Sequence, residues 1–285
     1  MAFFAEKIKF FVFCLIVSFF SITSSCNAKT KSVLKPYPTA VGDIVFSDGS
    51  AVSWSKNLNL TDEQKKNAVA VIFYAGKKGD LLGERLLGVG LHVTSEALKW
   101  APKDTTGFLT SFDETKCDFS IAGPLTENDY QYRNKNGKIY ISGDLDGRDN
   151  WNAICKTDSA ALNNCLENYP AFSWAGSYGL NHSLSGKYAD GWFLPSVAEL
   201  LSLYSNINIV DKAIVSAGGK GLSDVMISSY WTSSQFAGNK GSNKVFLVHF
   251  ENEYSVKGLF KYDVYYDYKS GLNNACAVYD FTVDD

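Results

Sequence analysis

Few residues of this chain have the type and setting to do chemistry, and the sequence keeps them apart. Its 285 residues include three histidines, His92, His182 and His249. His92 and His249 stand inside apolar runs, where an imidazole that serves only the structure is expected. His182, in the polar segment 179–186, is the one set as a general base would be. The acids of Asp144-Leu145-Asp146-Gly147-Arg148-Asp149 alternate about a glycine, as the oxygen ligands of a calcium loop do. Arg148, however, takes the place of the next acid and no bidentate glutamate follows, so a structural turn is expected. Gly218-Gly219-Lys220-Gly221 lacks the strand-to-helix context of a phosphate-cradling loop. These patterns lead to no catalytic set, no metal and no cofactor, hence to a protein that is not an enzyme.

The six cysteines divide into two groups. Lys7 and Lys9 precede the apolar run 10–20, and small residues lead from Ser21 into Cys26, the layout of a secretory signal. A run of about 11 residues falls short of the roughly 20 that a membrane-spanning helix needs, so residues 1–25 read as a signal peptide. Small residues directly before Cys26 match a bacterial lipoprotein signal, in which the thiol receives diacylglycerol, although Thr23 stands where a branched apolar residue is usual. The alternative is a cut near Ala28 that releases a soluble chain. Cys117, Cys155, Cys165 and Cys276 form an even set in an exported chain with no CxxC spacing, which favours two disulfides over a metal thiolate site. Spacing selects none of the three pairings that four cysteines allow. With 27 basic against 30 acidic residues, and no dense basic run beyond 29–35, a nucleic-acid surface is excluded.

Positioning falls to a corner, Gly191-Trp192-Phe193-Leu194-Pro195-Ser196-Val197-Ala198-Glu199-Leu200-Leu201. Pro195 has no backbone donor, Ser196 is a good N-cap and Glu199, three residues on, can close a capping box, so a helix starts here. Trp192, and Trp231 of Tyr230-Trp231-Thr232-Ser233-Ser234, are expected in the core, though an aromatic face can also stack a sugar ring. Residues 26–40 carry Pro36 and Pro38 and read as a tether before a single domain, 41–285. Thr61 with Gln64 predicts a second capping-box helix. Strands are expected at 43–46, 68–74, 86–93 and 138–142, then at 244–250, 255–260, 262–268 and 275–281. Residues 95–100 read as a helical turn, 101–130 as a loop or insertion, and Asp158 as the cap of a helix with Leu162, Cys165 and Leu166 on one face. The class is α+β, mainly antiparallel strands with two or three short helices.

The corner, the Tyr230-Trp231-Thr232-Ser233-Ser234 motif and the terminal Asn274-Ala275-Cys276-Ala277-Val278-Tyr279 together resemble the Lcl C-terminal domain family. That family carries a W-x-L-P-[ST]-x-x-E-L turn, then Y-W-[ST]-S and a cysteine on a last strand. Gly42-Asp43-Ile44-Val45-Phe46-Ser47-Asp48-Gly49, Val71-Ile72-Phe73-Tyr74 and Asp146-Gly147-Arg148-Asp149-Asn150 look like motifs of its longer members. Alanines stand here where arginines often flank the family cysteine. The resemblance implies a C-type-lectin-like fold related to the formylglycine-generating-enzyme group. In such domains a cysteine of an early helix is joined to one on the last strand, which implies Cys165 with Cys276 and leaves Cys117 with Cys155. The calcium motifs of the lectins are missing, since Thr232 and Ser233 follow Trp231, and only one cysteine follows position 165, where the oxidases use a pair.

The export signal and the resemblance together imply a lipid-anchored bacterial surface protein, adhesin-like, that binds an extracellular protein or glycan without metal or catalysis. The alternatives are an oxidase of the formylglycine-generating type and a structural envelope lipoprotein with no ligand of its own. Contacts are expected on the final strands and the loop 235–243, from Gln235, Asn239, Asn243, Tyr262, Tyr265, Tyr266 and Tyr268. Alternation along a half-buried strand must turn some of these tyrosines outward.

Overall fold

Runs of Val, Ile, Phe and Tyr separated by glycine turns form strands that are buried on both faces, and such strands need a layer on each side. The computed structural model describes residues 33–285 except 81, 121–128, 135–136, 226–228, 238–241, 251–263 and 283–285. The expected signal peptide, Cys26, Asn239, Tyr262 and the strand expected at 255–260 therefore lie outside the described residues. The described residues fall in one unit, Lys31–Asp285, and none of their helices is long and apolar enough to cross a membrane.

Among the described residues there are twelve strands: β1 (Leu34–Lys35), β2 (Asp43–Phe46), β3 (Ala51–Ser53), β4 (Ala68–Ala75), β5 (Leu86–Val93), β6 (Lys116–Ser120), β7 (Asp129–Asn134), β8 (Gly137–Gly143), β9 (Ser229–Phe236), β10 (Lys244–His249), β11 (Val264–Tyr268) and β12 (Cys276–Asp280). They make two six-stranded sheets, β1-β3-β2-β4-β5-β12 and β11-β10-β9-β6-β8-β7. Neighbours are antiparallel except β6 and β9, which run parallel through Lys116↔Gln235 and Cys117↔Phe236. The structure is thus mixed α and β with antiparallel sheets and several helices.

The period of two along a strand divides the core. Val71 and Phe73 of β4, with Phe246 and Val248 of β10, pack with Leu200, Leu203, Val210 and Ile214 in one cluster. Ala70 and Ile72 of β4, with Val245 and Leu247 of β10, pack with Trp100, Tyr169, Phe172, Trp192 and Trp231 in the other. The helix Val197–Ser205 touches β4 of the first sheet and β9 and β10 of the second, and so wedges the two sheets together.

Several expectations are corrected. Helices are more numerous than two or three, because Pro170–Gly176 and Ile207–Ser216 form in addition to Asp62–Asn67, Gly147–Thr157 and Val197–Ser205. Residues 95–100 make no helical turn; that segment runs extended against 269–275 through Leu98 N–H to Asn273 O at 2.8 Å and Ala101 N–H to Lys269 O at 2.9 Å. The stretch expected as a loop holds the helix Thr106–Leu109, a 3₁₀ turn at Asp113–Thr115 and β6. The helix expected after Asp158 breaks into Ala160–Asn163 and Cys165–Asn168, with Leu162 and Leu166 69% and 72% exposed rather than sharing a buried face. The tether also ends early, since β1 pairs with β3 and Lys35 Nζ holds Asp43 at 2.8 Å.

Candidate functional site

The corner forms around its capping box. Ser196 Oγ accepts from Glu199 N–H at 3.2 Å, and Glu199 Oε2 accepts from Ser196 N–H at 2.7 Å. The same Oε2 accepts from Gly147 N–H at 3.0 Å, which draws in the turn that began as a calcium-like pattern. A Cβ on Gly147 would meet Leu194 O at 2.5 Å and Ser196 N at 2.7 Å, so only glycine lets the two segments approach. Strand β9 locks the other side: Ser233 N–H donates to Pro195 O at 2.8 Å and Val197 N–H to Ser234 Oγ at 3.0 Å. The corner and the segment 230–234 thus touch, once backbone to backbone and once through the Ser234 hydroxyl.

Behind the corner lies a charge cluster that sequence reasoning did not assemble. Arg85 reaches Glu199 Oε1 at 2.8 Å, Asp146 Oδ1 at 3.1 Å and Asp280 Oδ2 at 3.1 Å. Arg148 holds Asp146 at 2.9 Å and Asp280 at 3.0 Å. Arg85 Nη2 faces Asp146 and Glu199 Oε1 faces Arg85 Nη1 within ion-pair distance, but neither atom makes a hydrogen bond, so these attractions are charge without direction. Burial outweighs Arg85 and pushes the Glu199 carboxyl up to about 7. Asp144 is likewise pushed by burial up to about 7, against the Asn150 amide that donates to it at 2.6 Å. Asn150 also donates to Ser233 Oγ at 2.7 Å, tying this pair to β9. Arg85 could have been suspected from its place just before β5, whose partner β12 ends in Asp280.

Against the corner opens a cleft of about 540 Å³, lined among others by Arg148, Trp151, Cys165, Phe172, Trp192 and Phe193. Its volume lies within the roughly 300–1,000 Å³ of small-ligand sites. Trp151 and Phe172 stack at 5.3 Å with 28° between their planes. Trp192 is almost fully buried; its Nε1 donates to Tyr188 O at 2.9 Å and its ring lies 4.4 Å from Tyr178. It therefore belongs to the core and offers the cleft only an edge. Ser173, Ser177 and Arg148 line it too, the Arg148 guanidinium being held by Asp146 and Asp280. Such a site can stack a ring and hydrogen-bond its substituents.

The other expected residues scatter. Trp231 is buried, its Nε1 donating to Leu98 O at 2.7 Å. Gln235 is buried too, and its Oε1 accepts from Phe112 N–H at 2.8 Å, which corrects its assignment as a ligand contact. Asn243 is half-buried, and the backbone of Tyr265 pairs with Leu247. Tyr266 and Tyr268 are 43% and 50% exposed on β11, with Lys244 Nζ over both rings at 4.5 and 5.3 Å. His249 Nδ1 lies 3.0 Å from Ser229 Oγ.

All four cysteines of the domain stand as thiols. The implied bridges are not formed, and each would have to cross between cores. Cys117 and Cys276 belong to the cluster of Phe73 and Leu200, whereas Cys155 and Cys165 pack against the cluster of Tyr169 and Trp231. Burial pushes the Cys276 thiol up to about 12, the setting of an inert sulfur. Lys269, a residue that sequence reasoning passed over, is fully buried. Its Nζ donates to Gly107 O and Thr110 O at 2.7 Å each and sits 4.7 Å over Trp100, and burial pulls it down to about 7. A lysine in the polar run Tyr268-Lys269-Ser270-Gly271 carries no sequence signal of burial.

Compared with known proteins, the chain matches no family model, no curated protein and no solved structure.

Proposed function

We propose that this chain is an exported bacterial surface protein, anchored by lipid on Cys26, whose C-type-lectin-like domain of the Lcl C-terminal type binds an extracellular glycan or protein without catalysis. The cleft lined by the stacked pair Trp151 and Phe172 carries this reading, because an aromatic face with Arg148, Ser173 and Ser177 in the same lining suits a sugar ring or an aromatic side chain. The buried acids support a binding role as well: Glu199 is engaged by Arg85 and two amides and Asp144 by Asn150, all of them holding the corner in place. The Cys26 anchor rests on the order of basic, apolar and small residues ahead of it.

A glycan and extracellular-matrix array tests the reading. The purified protein should bind at least one ligand in the presence of a chelator, and Trp151→Ala should weaken that binding by about 1–2 kcal/mol while the domain stays folded. A second reading is favoured by the exposed Tyr266 and Tyr268 under Lys244, which place a cation and two rings on one strand edge. If the paired change Tyr266→Ala and Tyr268→Ala abolishes binding and Trp151→Ala does not, the ligand belongs on that face. Wild-type protein that binds nothing on the array, purified or on cells, would leave the structural envelope role.

A further inference from the structure

His92 of β5 and His182, which follows the helix Tyr178–Asn181, come together from distant segments with their rings stacked at 4.5 Å and 20° between planes. The ring nitrogens of both make no hydrogen bond with a described residue, although the His92 backbone N–H donates to Tyr178 Oη at 3.2 Å. The pair lines a concavity of about 340 Å³ whose other charged lining groups are Lys65 and Lys66, from the last turn of the helix Asp62–Asn67. No described carboxylate lines it, and neither lysine is ion-paired with a described residue. The remaining walls are Ala68, Val69, Leu91, Tyr178, Leu184 and the helix end at Ala217 and Gly218. At that end, the N–H groups of Ala217, Gly218 and Gly219 already occupy the carbonyls of Ala213, Val215 and Ile214. The charged and ionisable side chains of the lining are thus two lysines, two histidines and the Tyr178 phenol, with no described carboxylate among them.

We propose that this concavity binds a tetrahedral oxyanion, phosphate or sulfate, either free or as the terminal ester of a larger ligand, held by the ammoniums of Lys65 and Lys66 and by N–H groups of the stacked imidazoles. Charge-assisted bonds to an anion are the strong kind, and here no protein acid competes for the donors. Stacked imidazoliums repel each other, so a dianion supplies the charge that lets both rings protonate. In its absence, burial holds both histidines below their ordinary value near 6.5, and His92 lowers His182 further. The charged or titratable groups facing the pair are Lys65 and Lys66 from one helix and the Tyr178 phenol from another; β4 and the Ala217 end present none. Anion binding is therefore coupled to proton uptake and is tighter in acid.

The full-length chain is titrated with sodium phosphate, sodium sulfate and methyl phosphate at constant ionic strength, at pH about 5.5 and about 7.5, while the histidine ring resonances are followed. His92→Gln and His182→Gln assign the two signals. Both rings should shift saturably at the lower pH, with an apparent affinity about tenfold weaker at the higher pH, and both should titrate at higher pH in phosphate than in chloride. The paired change Lys65→Ala and Lys66→Ala, on an exposed helix, should leave the fold and the chloride titration intact while weakening phosphate about tenfold. Methyl phosphate binding as well as inorganic phosphate assigns an ester of a larger ligand; binding of inorganic ion alone assigns the free anion. Shifts that fail to saturate, that chloride reproduces, or that persist undiminished in the lysine variant overturn the proposal.

Discussion

Glu199 holds two backbone amides and one guanidinium with a single carboxylate, so removing it leaves three buried partners short. Glu199→Ala should therefore cost about 3–5 kcal/mol, the usual penalty for breaking a buried pair. Glu199→Gln keeps an acceptor for the amides and should cost about 1–3 kcal/mol. Urea midpoints decide, and equal losses would show that the amides contribute nothing. Lys269 gives a pH signature. Its folded value is about 7 against an ordinary 10.5, so the folded state holds fewer protons between them. Stability from this group must then rise with pH from about 7 to 10.5 and be absent below that window. In Lys269→Met, thermal unfolding across the window should lose that slope relative to wild type. A parallel pair of pH profiles would mean that Lys269 is charged throughout. Neither residue's burial was legible in the sequence to the same degree. The capping-box spacing marks Glu199, while a lysine in a polar turn gives no local hint that distant carbonyls of Gly107 and Thr110 await it.

At the level of elements, what the sequence made legible is what local chemistry dictates. The capping boxes at Thr61 and Ser196 and the bounds of β2 and β5 follow from residues within a few positions of one another. The helix Ile207–Ser216 was missed because Ile and Val are poor helix formers; it is held by Val210, Ala213 and Ile214, which are buried on one side. Residues 105–120 were missed because their partners, Gln235, Lys269 and β9, lie more than a hundred positions away. The cysteines make the same point. Cys155, near the end of the helix Gly147–Thr157, and Cys165 both pack against the cluster that holds Tyr169, and a charge on Cys155 disfavours one on Cys165. Burial keeps the Cys165 thiol up at about 11, so oxidation near neutral pH should be slow. When a mild oxidant is supplied to the folded protein and peptides are mapped, Cys155–Cys165 should be the linkage that appears, with Cys117 and Cys276 protected. A Cys165–Cys276 product would show that the two cores open far more readily than their packing indicates.

Over the whole molecule, helix Val197–Ser205 contacts strands of both sheets, and a mixture of helices with antiparallel strands was legible from strand-rich composition while the parallel β6–β9 seam was not. On the proposed reading, Cys26→Ser should move the protein from the membrane pellet to the soluble fraction; retention in the pellet would refute the lipid anchor. The place of β12 has a consequence in time. Residues 276–280 complete the first sheet beside β5, and Val278 exchanges backbone hydrogen bonds of 2.9 Å with Phe193 of the corner. During synthesis β5 therefore waits with an open edge until residues 276–280, nearly two hundred positions further on, have been made. An open edge is a site for misassembly. Folding is in this sense a race between the arrival of residues 276–280 and capture of that edge, and a chaperone that covers β5 would act on the growing chain rather than on the folded domain.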